Sequence, residues 1–179
     1  MVIGINNLLK LVKEKKLVEN LSDRELKNPE GSGFDLRLGE VHKIEGEGFL
    51  GVADRKTPKA ITIFKYKKNA KQRIVVKPGQ QYLVTTIEKV NLPLDITSNL
   101  WLRGTLYRSG IILSGGNIAP GYCGKLTVTL FNSGKSNVTI ELGARILHIL
   151  FYKVDGGGSK YRGQWQGGRI YTKKREKQV

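Results

Sequence analysis

The sequence predicts an all-β fold, a distorted barrel or jelly roll with a short N-terminal helix. Two observations carry that prediction. Apolar residues fall in short alternating runs, most clearly Lys125–Phe131, where Leu126, Val128 and Leu130 share one face. Gly, Pro, Asn or Ser bounds each run, and 22 glycines in 179 residues supply the turns. Many short strands punctuated in this way argue for a closed β architecture rather than βαβ units.

The elements follow in order. Ile5, Leu8, Leu9 and Val12 recur at helical spacing, with Lys10, Lys13 and Glu14 between them, so Ile5 to Asn20 reads as an amphipathic helix. Asn28-Pro-Glu-Gly31 is a turn. Phe34-Asp-Leu-Arg-Leu38 alternates as a strand and is expected to stop at Gly39. Gly46 to Asn69 reads as irregular, with one strand at Ala60–Phe64. Lys77-Pro-Gly79 opens a strand over Gln81–Val90, which Leu92-Pro-Leu94 breaks. Short runs follow at Ser98–Arg103, Ile111–Leu113, Lys125–Phe131, Val138–Leu142 and Arg145–Val154. From Asp155-Gly-Gly-Gly-Ser159 the chain becomes glycine-rich and then basic. This divides it into a β domain at 1–154 and a hinge with a basic lid or tail at 155–179.

Bulk properties narrow the function classes. No apolar run approaches the roughly 20 residues of a membrane span, and no signal-peptide pattern opens the chain, so the expectation is a cytoplasmic protein with no membrane partner. Cys123 is the only cysteine, which excludes an internal disulfide and a multi-cysteine zinc site. The formal net charge is +16. Nine basic residues and no acid lie between Arg55 and Lys77, and seven basic residues with one acid, Glu176, lie between Lys160 and Lys177. Such a field draws in polyanions, a triphosphate or a nucleic acid. The absence of an RNP-like aromatic platform weighs against nucleic acid. For the Arg55–Lys77 block a lysine-rich solvated surface is the favoured reading.

Several motifs stand in a recognisable order. Ser32-Gly-Phe-Asp-Leu-Arg-Leu-Gly39 places an acid before hydrophobic-Arg-Leu-Gly. Val76 to Asp95 holds a Pro-Gly turn, a strand and a Leu-Pro exit. Trp101-Leu-Arg-Gly-Thr-Leu-Tyr-Arg-Ser-Gly110, Asn117-Ile-Ala-Pro-Gly-Tyr-Cys-Gly124 and Lys125-Leu-Thr-Val-Thr-Leu-Phe-Asn-Ser-Gly134 follow. Lys160-Tyr-Arg-Gly-Gln-Trp-Gln-Gly-Gly-Arg169 closes the series. Together they resemble the dCTP deaminase/dUTPase family, with the tail similar to the lid of the deaminase branch.

That resemblance implies a dUTPase-like β-clip and a homotrimer with nucleotide sites between subunits. It implies binding of dCTP-, dUTP- or dTTP-type nucleotides, with Mg²⁺ carried on the phosphates and no zinc. The zinc deaminase signature, His-x-Glu with Pro-Cys-x-x-Cys, is absent from the sequence. In the deaminase, a carboxylate activates water against C4 of cytosine.

Mapped residue by residue, the resemblance places Arg108 at the catalytic arginine. It places Arg103, Gly104 and Thr105 along the phosphate-binding run, where Gly104 stands for a serine. Asn117 and Tyr122 fall in the next motif, and Lys160, Tyr161 and Gln164 in the lid, with Trp165 able to cover base or sugar. A guanidinium fork such as Arg108 suits a phosphate or a polarised water, although a strand-end or interface ion pair would use the same residue. Two acid positions are neutral: Ala119 stands where dUTPases orient water with Asp, and Thr129 where the deaminase carries its general base. Threonine has no titratable group near neutral pH, and general acid–base help is worth roughly 10²–10⁴-fold.

From Ile96 to Ile140 the chain contains no Asp or Glu at all. Asp95 and Glu141 flank the stretch as acids able to fold into the site, whereas Asp35 and Glu88 read as structural. His148 reads as a packed or interface histidine and His42 as a surface one. Cys123 has no histidine partner and is not read as a nucleophile. Three functions stay open at this stage: a dCTP deaminase-like enzyme, a catalytically inactive nucleotide-binding or structural trimer, and a dUTP diphosphatase.

Overall fold

A computed structural model describes residues 1–178. Strand accounts for 46% of the chain and helix for 12%, so the all-β prediction holds. In chain order the elements are α1 (Ile5–Lys15), β1 (Val18–Glu19), α2 (Asp23–Lys27), β2 (Gly33–Glu45), β3 (Phe49–Leu50), β4 (Asp54–Lys56), β5 (Lys59–Lys65), β6 (Arg73–Val76), β7 (Gln81–Asn91), β8 (Ile96–Leu102), α3 (Gly104–Arg108), β9 (Ile111–Ser114), β10 (Asn117–Ile118), β11 (Cys123–Asn132), β12 (Val138–Glu141), β13 (Arg145–Lys153) and β14 (Glu176–Lys177).

The main sheet runs β10-β8-β13-β2-β7-β11-β9, with β1 added on β7 and β5 on β2. It curls into a half-barrel. The long strands β2 and β13 bring Phe34, Leu36, Leu38, Leu147, Ile149 and Phe151 into the core, all fully buried. Phe34 and Phe151 meet edge to face with ring centroids 6.3 Å apart. Along β11 Leu126, Val128 and Leu130 are buried and the odd positions half-buried, the alternation anticipated. Two small sheets, β6–β12 and β3–β4–β14, complete the molecule. Among the described residues no helix is long and apolar enough to cross a membrane.

Four local expectations need correction. The first helix stops at Lys15 because Lys16 turns into the left-handed region at φ 52° and ψ 39°, where its N–H reaches the carbonyls of Leu11 and Val12. Leu17 then enters the core from an extended segment that pairs Val18 with Val90.

β2 does not end at Gly39. It bulges there and continues to Glu45, since a glycine admits close approach of β7: a Cβ would lie 2.8 Å from the backbone of Thr86 and Ile87. In consequence His42 lies inside rather than on the surface, 0% exposed, with Nδ1 2.9 Å from Thr62 Oγ1. Burial depresses its pKa and keeps the ring neutral, and its Nε2 has no partner among the described residues.

The stretch 46–69, read as irregular apart from one strand, also contains β3 and β4, which form a hairpin that the tail extends.

Candidate functional site

A cavity of about 790 Å³ opens between one face of the main sheet and the C-terminal tail. Strand register builds its floor. His42 pairs with Leu83, Leu83 with Thr129, and Thr129 with Ser114. Directly opposed residues in antiparallel strands project from the same face, so these four form one row. The neighbouring row is Glu40–Thr85–Thr127. Leu83, Ser114 and Thr127 line the cavity. Thr129 sits between two lining residues on that same face, half-buried, and is not itself a lining residue. The hydroxyl oxygens of Thr85 and Thr127 are buried without partners among the described residues.

The turn before β11 forms one wall through Asn117, Ile118, Ala119 and Tyr122. Asn117 is held by β8: its Nδ2 donates to Thr97 Oγ1 at 2.7 Å and to Asn99 Oδ1 at 3.2 Å. Tyr122 donates its hydroxyl to the Lys125 carbonyl at 2.8 Å and meets Tyr161 edge to face at 5.4 Å. Burial, with Tyr161 beside it, pushes the Tyr122 phenol up to about 12, so it stays neutral.

The tail supplies the roof through Tyr161, Trp165, Arg169 and Ile170, and Thr57 and Pro58 close the far side. Backbone bonds seat it: Tyr161 N–H to the Pro120 carbonyl and Gly167 N–H to the Cys123 carbonyl, each 2.8 Å. Gly124 is required for this approach, because a Cβ there would come within 2.4 Å of Gly168 N. Further along, Thr57 and Thr172 exchange reciprocal N–H to Oγ1 bonds of 2.9 Å each, and β14 pairs with β4. The Arg55 guanidinium stacks over Trp165 at 5.4 Å.

Ala119, Asn117, Tyr122 and Tyr161 therefore share one cavity, with Trp165 in its roof and Thr129 on its floor face. Lys160 is exposed beside Gly121, and Gln164 donates to the Lys177 carbonyl; neither is a lining residue. Arg103, Gly104, Thr105 and Arg108 cluster elsewhere, at the end of β8 and on α3. Thr105 and Arg108 are exposed, and Arg108 donates to the Tyr107 hydroxyl at 2.6 Å and lies over that ring at 4.7 Å.

Arg103 is engaged by Asp35 at 2.9 Å. Asp35 is the hub of a buried network, also taking Arg145 at 2.8 Å and His148 Nδ1 at 2.8 Å, while its N–H donates to Glu25 at 2.9 Å. Burial opposes its charge, but the His148 bond and the charges of Arg103 and Arg145 hold its carboxyl below the usual range. Glu88 is likewise structural: it accepts from the Arg37 N–H at 2.8 Å and Nε at 2.6 Å, and burial pushes its carboxyl up.

Among the described residues no acid lines the cavity, and Asp95 and Glu141 are both exposed outside it. Among the described residues no group of three His, Cys, Asp or Glu side chains is arranged to hold a metal. The lining offers aromatic edges, amide and hydroxyl groups and one guanidinium. These suit a flat polar ring with hydrogen-bonding edges, and none of the neutral groups can carry a proton between water and substrate. Sequence reading missed Thr57, Gln81, Ser114, Thr127, Arg169 and Ile170. Thr127 had a signal, since it alternates with the buried Leu126 and Val128; Thr57 had none, since only the folded tail brings it near.

The motifs of the β domain are matched by a family model. Residues 3–154 fit the model for dCTP deaminase-like domains. The chain belongs to the dCTP deaminase-like family. It is 32% identical over 178 residues to a dUMP-forming dCTP deaminase of Dictyoglomus thermophilum, covering 92% of this chain and 91% of the relative. It is 30% identical over 168 residues to a dCTP deaminase of Pyrococcus furiosus, covering 93% and 95%. In three dimensions it is similar to the crystal structure of 2′-deoxycytidine 5′-triphosphate deaminase from Agrobacterium tumefaciens, with a TM-score of 0.66 at 16% identity. That match covers 86% of this chain and 49% of the other, so the chain spans about half the length of that structure. The family model's match spans the β domain and ends at residue 154, before the tail that roofs the cavity.

Proposed function

We propose that this chain binds a pyrimidine deoxyribonucleotide in the cavity between sheet and tail, in a dCTP deaminase-like role, with deamination weakened by the loss of its acids. One observation carries the reading: the floor row that should present a carboxylate to the ring presents Thr129, between Leu83 and Ser114. The base would lie against Tyr122, Tyr161 and Trp165, with Asn117 and Ser114 on its polar edge.

The phosphates would reach toward the basic surface and carry Mg²⁺ with them, because the described residues offer no metal-binding cluster of their own. Arg103, Gly104, Thr105 and Arg108 lie off the cavity of their own chain. In this reading Thr105 and Arg108 complete the phosphate site of a second copy in a homotrimer. The exposed Trp101, Tyr107 and Ile112 around α3 support a packed surface there.

Calorimetric titration with dCTP, dUTP and dTTP in Mg²⁺, joined to ammonia and product analysis, tests the proposal. Binding with little or no ammonia supports it. Rapid ammonia release would restore full deaminase activity, the product identifying dUTP or dUMP, and no binding of any of the three would remove the nucleotide reading.

A further inference from the structure

Among the described residues lining the cavity, Arg169 is the one charged side chain. Its position is set by the tail rather than by the barrel. Its Nε donates to the Tyr171 carbonyl at 3.1 Å, and its two terminal nitrogens donate to the two oxygens of Glu176, one at 3.0 Å and one in closer contact. Glu176 is in turn fixed by strand β14, opposite Arg55 on β4.

A guanidinium carries five N–H donors. Three are engaged on the tail side, which leaves two for a molecule in the cavity. The fork is also charge-balanced by Glu176. It therefore presents directed donors with little net charge, which favours a neutral acceptor over a phosphate.

We propose that Arg169 is a specificity residue that donates to a neutral acceptor of the bound nucleoside, a base carbonyl or sugar hydroxyl, with Glu176 as its positioning partner. The inference rests on the nucleotide reading above. It gives the tail a recognition role beyond covering the cavity, and it makes the β3–β4 hairpin part of the site at one remove, because β14 docks there.

The test uses the full chain as wild type, Arg169→Met and Arg169→Lys. Affinities for deoxycytidine and for dCTP with Mg²⁺ are measured by calorimetry, and tail docking by amide exchange at residues 167–172. Losing charge-assisted bonds should weaken both ligands by about ten- to a hundredfold in Arg169→Met. Arg169→Lys keeps a cation for Glu176 but not the fork, so it should lose nearly as much affinity while the free protein's tail exchanges as in wild type. Wild-type affinity in Arg169→Lys would reduce Arg169 to a latch and overturn the inference, as would a loss confined to dCTP. Wild-type protein that binds neither ligand would instead remove the nucleotide reading itself.

Discussion

Thr129→Glu combined with Gly104→Ser is the most informative perturbation. Position 129 lies on the cavity face of β11, half-buried, with Leu83 on one side and Ser114 on the other. A carboxyl placed there enters a partly apolar row with no cation opposite it in register. Burial raises the pKa of such a group toward the range in which it can both take and return a proton. The serine at position 104 is sterically acceptable: its Cβ would stand 2.8 Å from an Arg108 terminal nitrogen, the free end of a side chain that can swing aside.

Recovered acid–base help should raise ammonia release from dCTP by roughly 10²–10⁴-fold, which at 1.36 kcal/mol per decade is about 3–5 kcal/mol of barrier. The same substitution should destabilise the fold at neutral pH. An acid whose folded pKa is raised contributes full stability below its unfolded value of about 4.3 and loses it as pH rises through the folded value. Ammonia release at saturating dCTP and Mg²⁺, with a parallel binding titration, is the assay. A folded double variant that binds dCTP as wild type does yet gains no turnover would refute the assignment of Thr129 to the reacting face.

Other outcomes follow from the same geometry. Arg108→Ala should weaken dCTP binding while leaving deoxycytidine binding unchanged, since the exposed guanidinium is assigned to phosphate; equal affinities for dCTP in calorimetry would leave it a surface residue. Asp35→Ala should destabilise the chain by about 3–5 kcal/mol in urea unfolding, because Arg103, Arg145 and His148 lose their shared anion; a change under 1 kcal/mol would mean the network is not structural. His42 has a depressed folded pKa, so its contribution to stability is present above about 6.5 and lost as pH falls through the folded value. His42→Phe should flatten that segment of the stability–pH curve, and an unchanged slope would assign it to other groups. Thr172→Val should cost about 1–3 kcal/mol by stranding the Thr57 N–H, read as a lower Tm and faster tail proteolysis.

Much of the architecture was legible because alternation and turn residues are local signals. Lys125–Phe131 shows this best: its period of two alone separates the core face from the face that bears Thr127 and Thr129. Where sequence reading erred, a distant partner decided the outcome. Gly39 looks like a stop until β7 lies against it, and His42 looks polar and exposed until the continued strand carries it between β5 and β7. α2 was readable and overlooked: Ser22 caps the helix by accepting from the Glu25 N–H at 3.4 Å, the spacing of a capping box.

The site divides in the same way. Asn117, Ala119 and Tyr122 lie in one contiguous turn and were identifiable from it. The joining of Thr57 to Thr172, and of Glu176 to Arg169, depends on long-range docking that no local pattern encodes. Arg103 illustrates the converse, a motif residue whose charge the fold directs to Asp35.

The bare contact between Gly124 and Gly168 has a consequence for variation in this scaffold. Because backbone meets backbone there, one added methyl group on β11 would push against the tail and strain Gly124's own backbone, which sits at φ 153°. If the tail recognises nucleotide as proposed, a single carbon atom placed outside the cavity lining would be enough to abolish that recognition.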